Sequence, residues 1–117
     1  MKLTAAQISK ICNSFCKENT IVDVGDNILT LEDSVVETER GDVTRTAILK
    51  DSEGNLYSCF QTISYDDGNR SEYITSDSSD QYTEIYNGDV YSGEWDLEIE
   101  LAEVEKREIV KIVYEVK

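Results

Sequence analysis

Near the amino terminus, Ile8, Ile11, Cys12, Phe15 and Cys16 recur at the spacing of one helical face. Lys10, Asn13, Ser14 and Lys17 fall mostly on the opposite side. Thr4 is a good N-cap, and Gln7 stands three residues later, where a capping box places Glu or Gln. Leu3 and Ile8 then occupy the two positions of a hydrophobic staple. The pattern predicts an amphipathic helix over about 4–18. It stops where Thr20-Ile21-Val22 begins a β-branched pattern.

From about residue 20 to 117 the chain reads as strands and turns. Turn signals stand at Gly25-Asp26-Asn27, Arg40-Gly41-Asp42, Asp51-Ser52-Glu53-Gly54-Asn55, Asp66-Asp67-Gly68-Asn69 and Asn87-Gly88-Asp89. The runs between them are rich in Val, Ile, Thr and Tyr. Their spacing predicts an antiparallel meander, each strand beside the next. The segment Ser76–Asp80 is the best candidate for a mobile loop. Near the end, Trp95, Leu97, Ile99 and Leu101 alternate with Asp96, Glu98 and Glu100, which gives one apolar and one acidic face. Val110, Ile112, Tyr114 and Val116 alternate likewise. A tight turn at Glu105-Lys106 would pair Leu101 with Val110 and Ile99 with Ile112, and set Glu100 opposite Lys111. A slip by one residue would bury three carboxylates, so the register should be firmly set.

A helix of this length is not stable alone and must lay its Ile8/Ile11/Phe15 face on a sheet. The expected fold is therefore α+β. It is one domain over 1–117, with an N-terminal amphipathic helix packed on a twisted antiparallel β-meander, open or half-closed. The other side of the sheet, or its closing strands, should be solvated and acidic.

Charge sharpens this picture. The chain has 117 residues, 25 acids and 11 bases, a net charge of −14. Between Arg70 and Lys106 there is no base, and residues 71–105 hold 11 acids. One contiguous third thus carries most of the net charge, which bears on partners rather than on fold. No apolar run is long enough for a membrane span. The first residues lack the continuous apolar stretch of a secretory signal. Three cysteines, an odd number, suggest reduced thiols and a cytoplasmic setting, in a host cell if the protein is viral. The Asn69-Arg70-Ser71 and Arg40-Gly41-Asp42 triplets then read as turn chemistry rather than as signals.

Chemistry is sparse. Histidine is absent, which removes the commonest general base, the usual triads and most zinc sites. No glycine-rich phosphate loop is present. Cys12 and Cys16 share a helix face, but with Cys59 they make a poor zinc set and read first as small core residues. No EF-hand pattern occurs, and no pair of carboxylates stands apart from the many. The expectation is a non-enzyme with no cofactor and no metal. Tyr73, Tyr82, Tyr86 and Tyr91 lie in the acid-only window without the Lys and Arg that phosphates require, so direct nucleic-acid binding is not expected.

Same-face carboxylates on a strand repeat every ~6.7 Å, with neighbouring strands ~4.8 Å apart. Duplex DNA carries about one charge per 1.7 Å of axis. An acidic sheet face can therefore approach the charge density of a duplex. In size, charge and lack of a catalytic set the chain resembles small acidic viral inhibitors of host defence or transcription, a resemblance of composition rather than of motif. The first expectation is a binding protein that mimics nucleic acid and blocks a basic site on a nucleic-acid-handling protein. Asp77, Asp80, Glu84, Asp89, Glu94, Asp96, Glu98 and Glu100 would supply charge. Tyr82, Tyr86 and Tyr91 would supply desolvated contacts. The alternative is a structural or assembly module that pairs through a sheet edge, its acids serving only solubility. Neither reading needs a membrane, and both leave a homo-oligomer open.

Overall fold

A computed structural model describes residues 1–14, 21–24, 27–87, 94–107 and 114–117, with the backbone alone at 21–24 and 27. In chain order the elements are β1 (Lys2–Thr4), α1 (Ala5–Cys12), β2 (Ile21–Val24), β3 (Asn27–Glu39), β4 (Asp42–Lys50), β5 (Leu56–Asp66), β6 (Asn69–Thr75), β7 (Thr83–Tyr86), β8 (Glu98–Glu100) and β9 (Ala102–Val104). The α+β class holds, as an antiparallel sheet with one short helix.

The helix starts as its sequence dictates. Thr4 is the N-cap, its side chain accepts from Gln7 N–H, and the Gln7 side chain accepts from Thr4 N–H at 2.9 Å. Leu3 and Ile8, the staple pair, are both buried. The helix ends earlier than expected, at Cys12 rather than near residue 18. Asn13 caps it, and the Ser14 hydroxyl bonds the Lys10 carbonyl at 2.7 Å. A serine side chain competes for backbone groups in this way, which favours a stop. Phe15, Cys16 and Lys17 lie outside the described residues.

Strands β2 to β7 form the expected meander, each beside the next and antiparallel. Two hairpins turn on two residues in left-handed backbone. These are Arg40-Gly41 (φ 51° and 85°) and Asp67-Gly68 (φ 48° and 82°). That geometry matches strand twist and explains the glycines. Among the described residues β2 and β7 are not paired with one another, so the sheet is open rather than half-closed. Later strands go elsewhere. β9 pairs with β5 at Leu56–Ser58, on the same side as β6, which covers Phe60–Asp66.

Among the described residues the strand at 98–100 has a partner that the sequence did not suggest. β8 pairs with β1 in a separate two-stranded sheet, Leu3 opposite Ile99 and Lys2 opposite Glu100. Ile99 is buried opposite Leu3, and Lys2 faces Glu100. Tyr114 and Val116 are 93% and 100% exposed and join no core. Val110, Lys111 and Ile112 lie outside the described residues. The apolar alternation at 95–101 holds, with Ile99 and Leu101 buried and Trp95 and Leu97 packed against the core. Alternation identifies a face, and Leu3 satisfies that face as well as Val110 would.

Paired residues share a face of the sheet, which separates its two sides. One side carries Leu29, Ala47, Leu49, Cys59, Ile74 and Ile85, all buried in one cluster with Ala5, Ile8, Ile11 and Cys12 of the helix. The other side has half-buried Thr44, Thr46, Ile48, Phe60, Thr62 and Tyr73 at its middle, with Asp33, Glu37, Glu39 and Glu84 only at its margins. This corrects the expectation of an acidic second face.

Candidate functional site

Six acids of the base-free window, at 77, 80, 84, 94, 96 and 98, lie near the border where β7 ends the meander. Ser76–Asp80, read from sequence as a mobile loop, is tied to its flanking residues. Thr75 Oγ1 donates to the Gln81 carbonyl at 2.9 Å, Ser79 Oγ to the same carbonyl at 2.9 Å, and Gln81 N–H to Ser79 Oγ at 3.0 Å. Two further bonds lay this stretch beside 94–100. Ser76 Oγ donates to the Glu100 carbonyl, and Glu94 N–H donates to Thr83 Oγ1 at 3.0 Å. Segment 94–97 in turn caps the helix start, since Ala5 N–H bonds Leu97 O at 2.9 Å and Ala6 N–H bonds Trp95 O at 3.0 Å.

Asp77, Asp80, Glu84, Glu94, Asp96 and Glu98 are all exposed. Among the described residues none of the six forms an ion pair. Glu100 differs. It is partly buried, faces Lys2, and lies 3.2 Å from the terminal amine of Met1. Asp89 and Tyr91 lie outside the described residues. Of Asp96, Glu98 and Glu100, only the last two belong to a strand, because Trp95 and Asp96 stand in a turn. The expected flat row of Asp96, Glu98 and Glu100 is therefore replaced by a band. Glu84 stands on the open side of the sheet, across from Tyr73, whereas Glu94 is tied to Thr83 on the helix side. The charge wraps around the border.

The aromatic residues follow the same border. Tyr82 is 57% exposed, yet its ring lies 5.1 Å from that of Tyr73, tilted by 32°. Tyr86 is exposed, and a hydrogen bond to Glu84, with that group's charge, raises its phenol pKa. Tyr82 and Tyr86 thus present apolar rings among carboxylates.

A second polar cluster went unrecognised in the sequence. Glu72 is 2% exposed, beneath the helix, and accepts from Ser9 Oγ and Gln61 Nε2. Arg70 Nη1 lies 3.6 Å from it. Gln61 Nε2 also reaches Asn13 Oδ1 at 3.2 Å, as does Arg45 Nη1 at 3.2 Å. So Asn13, assigned to the outer face, instead ties the helix end to the sheet, and Glu72 does not contribute to the surface charge. Strand periodicity carried the signal. Gln61 stands between Cys59 and Ile63, and Glu72 stands two before Ile74, on the buried parity. Gln61 Oε1 and Trp95 Nε1 are buried with no hydrogen-bond partner among the described residues.

Cys12 and Cys59 are buried free thiols. A hydrogen bond with Cys12, burial and the Cys12 charge push the Cys59 pKa well up, which leaves a thiol with little nucleophile. An open cleft of about 340 Å³ has Ile48, Leu56 and Val104 as its floor, with Glu32, Asp33, Glu105, Lys106 and Arg107 around it. Its rim mixes both charges. No helix among the described residues is long and apolar enough to cross a membrane. No family model, curated protein or solved structure matches the chain.

Proposed function

We propose that the protein is a non-catalytic binding protein whose acidic border occupies a basic, nucleic-acid-binding site on a partner protein. One observation carries the reading. Two segments far apart in sequence are bonded side by side, and six exposed carboxylates on them lack any internal cation among the described residues. Unscreened like charges cost a fold self-repulsion. A basic groove would relieve that cost and release its own counterions, as phosphates do. Tyr82 and Tyr86 offer the desolvated contacts that charge alone does not supply. A wrapped band suits a concave groove, in place of the flat duplex-like face expected from sequence. Cytoplasmic placement and a viral origin remain part of this proposal.

The test is a pull-down from bacterial lysate at low salt, eluted by a salt gradient. Its control carries Asp77→Asn, Asp80→Asn, Glu84→Gln, Glu94→Gln, Asp96→Asn and Glu98→Gln. Nucleic-acid-handling proteins eluting at moderate salt, and lost with the control, support the reading. Partners retained equally by both proteins refute it.

A second reading, assembly through a sheet edge, is favoured by a different observation. Among the described residues the outer side of β3 is paired only at Asn27–Thr30, by β2. Residues 31–39 of this 13-residue strand are unpaired on that side among the described residues.

A further inference from the structure

We propose that the outer edge of β3, unpaired at 31–39 among the described residues, accepts an extended basic segment of another protein as an added strand. This rests on the edge-pairing reading and names its partner class. An unpaired strand offers a row of backbone donors and acceptors, the template used in strand addition. At the near end the Asp33 carboxylate already takes the Ser34 N–H at 2.8 Å. The open template therefore runs from Val35 to Glu39. Val35 and Val36 are 43% and 56% exposed there, although apolar side chains on an unprotected edge invite pairing.

Charge decides what pairs. Strand β3 holds Glu32, Asp33, Glu37 and Glu39 and no Lys or Arg. The one ion pair on these acids among the described residues joins Glu32 to Lys50, at 3.7 Å and half exposed. A second copy is a poor partner. In antiparallel pairing centred on Val35, Asp33 meets Glu37. Centred on Val36, Asp33 meets Glu39. Centred between them, Glu32 meets Glu39. Like charges directly opposite are destabilising. A segment with Lys or Arg at alternate positions reverses each of these pairs. The register shows the arrangement required. Asp33, Val35, Glu37 and Glu39 share the open side of the sheet with Ile48, Thr46, Thr44 and Asp42, while Ser34, Val36 and Thr38 share the other. The incoming strand thus needs basic residues around one apolar position on the first side, and small or β-branched residues on the second.

The probe is a synthetic nonapeptide of alternating Lys and Thr with a central Val, labelled for fluorescence anisotropy and used with the full chain. Binding should weaken at least tenfold with Glu37→Lys plus Glu39→Lys. It should change less than threefold with Asp96→Asn plus Glu98→Gln. Hydrogen exchange should show amides of 35–39 slowed by the peptide. Protection confined to 77–84 and 94–100 would show general attraction to the acidic border and overturn the proposal. Absence of binding, or a concentration-dependent dimer that excludes the peptide, would overturn it too. Either failure leaves the acidic-border reading standing, because that reading depends on the other six carboxylates.

Discussion

Glu72 shows how one residue can mislead a count of charges. It belongs to the acid-rich window, yet it lies under the helix and holds Ser9 and Gln61 to the same point. Removing it strands two buried polar groups and opens a gap. Glu72→Ala should cost roughly 2–4 kcal/mol in urea unfolding, and Glu72→Gln about half that, because the amide keeps an acceptor. A loss below about 0.5 kcal/mol for the alanine would contradict the network. The thiols give a second check. Cys12 and Cys59 should stay unmodified by maleimide in the native protein and react on unfolding, as read by peptide mass spectrometry. Burial at this scale was legible through parity, at Gln61 and Glu72 as at Ile63 and Ile74. It was obscured because acids were assigned to the surface by type.

At the scale of elements, local signals held where the chemistry is local. The Thr4–Gln7 capping box and the two-residue turns formed as their residues require. Thr4→Ala should destabilise by about 1 kcal/mol. Gly54 sits at φ 88° in the turn between β4 and β5, so Gly54→Ala should cost about 1–2 kcal/mol although nothing crowds the position. Asp51 organises that turn, accepting from Glu53 N–H and Asn55 N–H at 2.9 Å each. Burial pushes its carboxyl upward, but the bonds from Asn55, Glu53 and Tyr57 prevail and hold its pKa below the ordinary value. A carboxyl with a lowered folded pKa stabilises the fold above its unfolded pKa, near 3.9, and that gain is lost as pH falls through the folded value. Stability of Asp51→Asn should therefore fall less steeply than wild type below about pH 4, measured by thermal melts. What sequence could not resolve was partnership between distant strands. The alternation at 95–101 marks a buried face, and nothing local distinguishes Leu3 from Val110 as its neighbour. The helix stop depended likewise on Asn13 and Ser14, whose side chains found backbone and sheet partners.

For the whole molecule, the asymmetry of charge was plain in the sequence, and its geometry was not. A run of acids becomes a band only because Ser76 and Thr83 tie two segments together, and tertiary bonds of that kind leave no periodic trace. The same packing pairs Glu100 and hides Glu72, and the six exposed carboxylates of the two tied segments carry the proposed interaction. The measurement that tests this most directly takes a captured partner and follows Kd against salt, with duplex DNA as competitor. A mimic should show log affinity falling steeply and linearly with log salt. That slope should flatten by more than half with the six-residue control, and DNA should displace the protein. A slope near zero, or partner and DNA bound together without competition, would contradict the account.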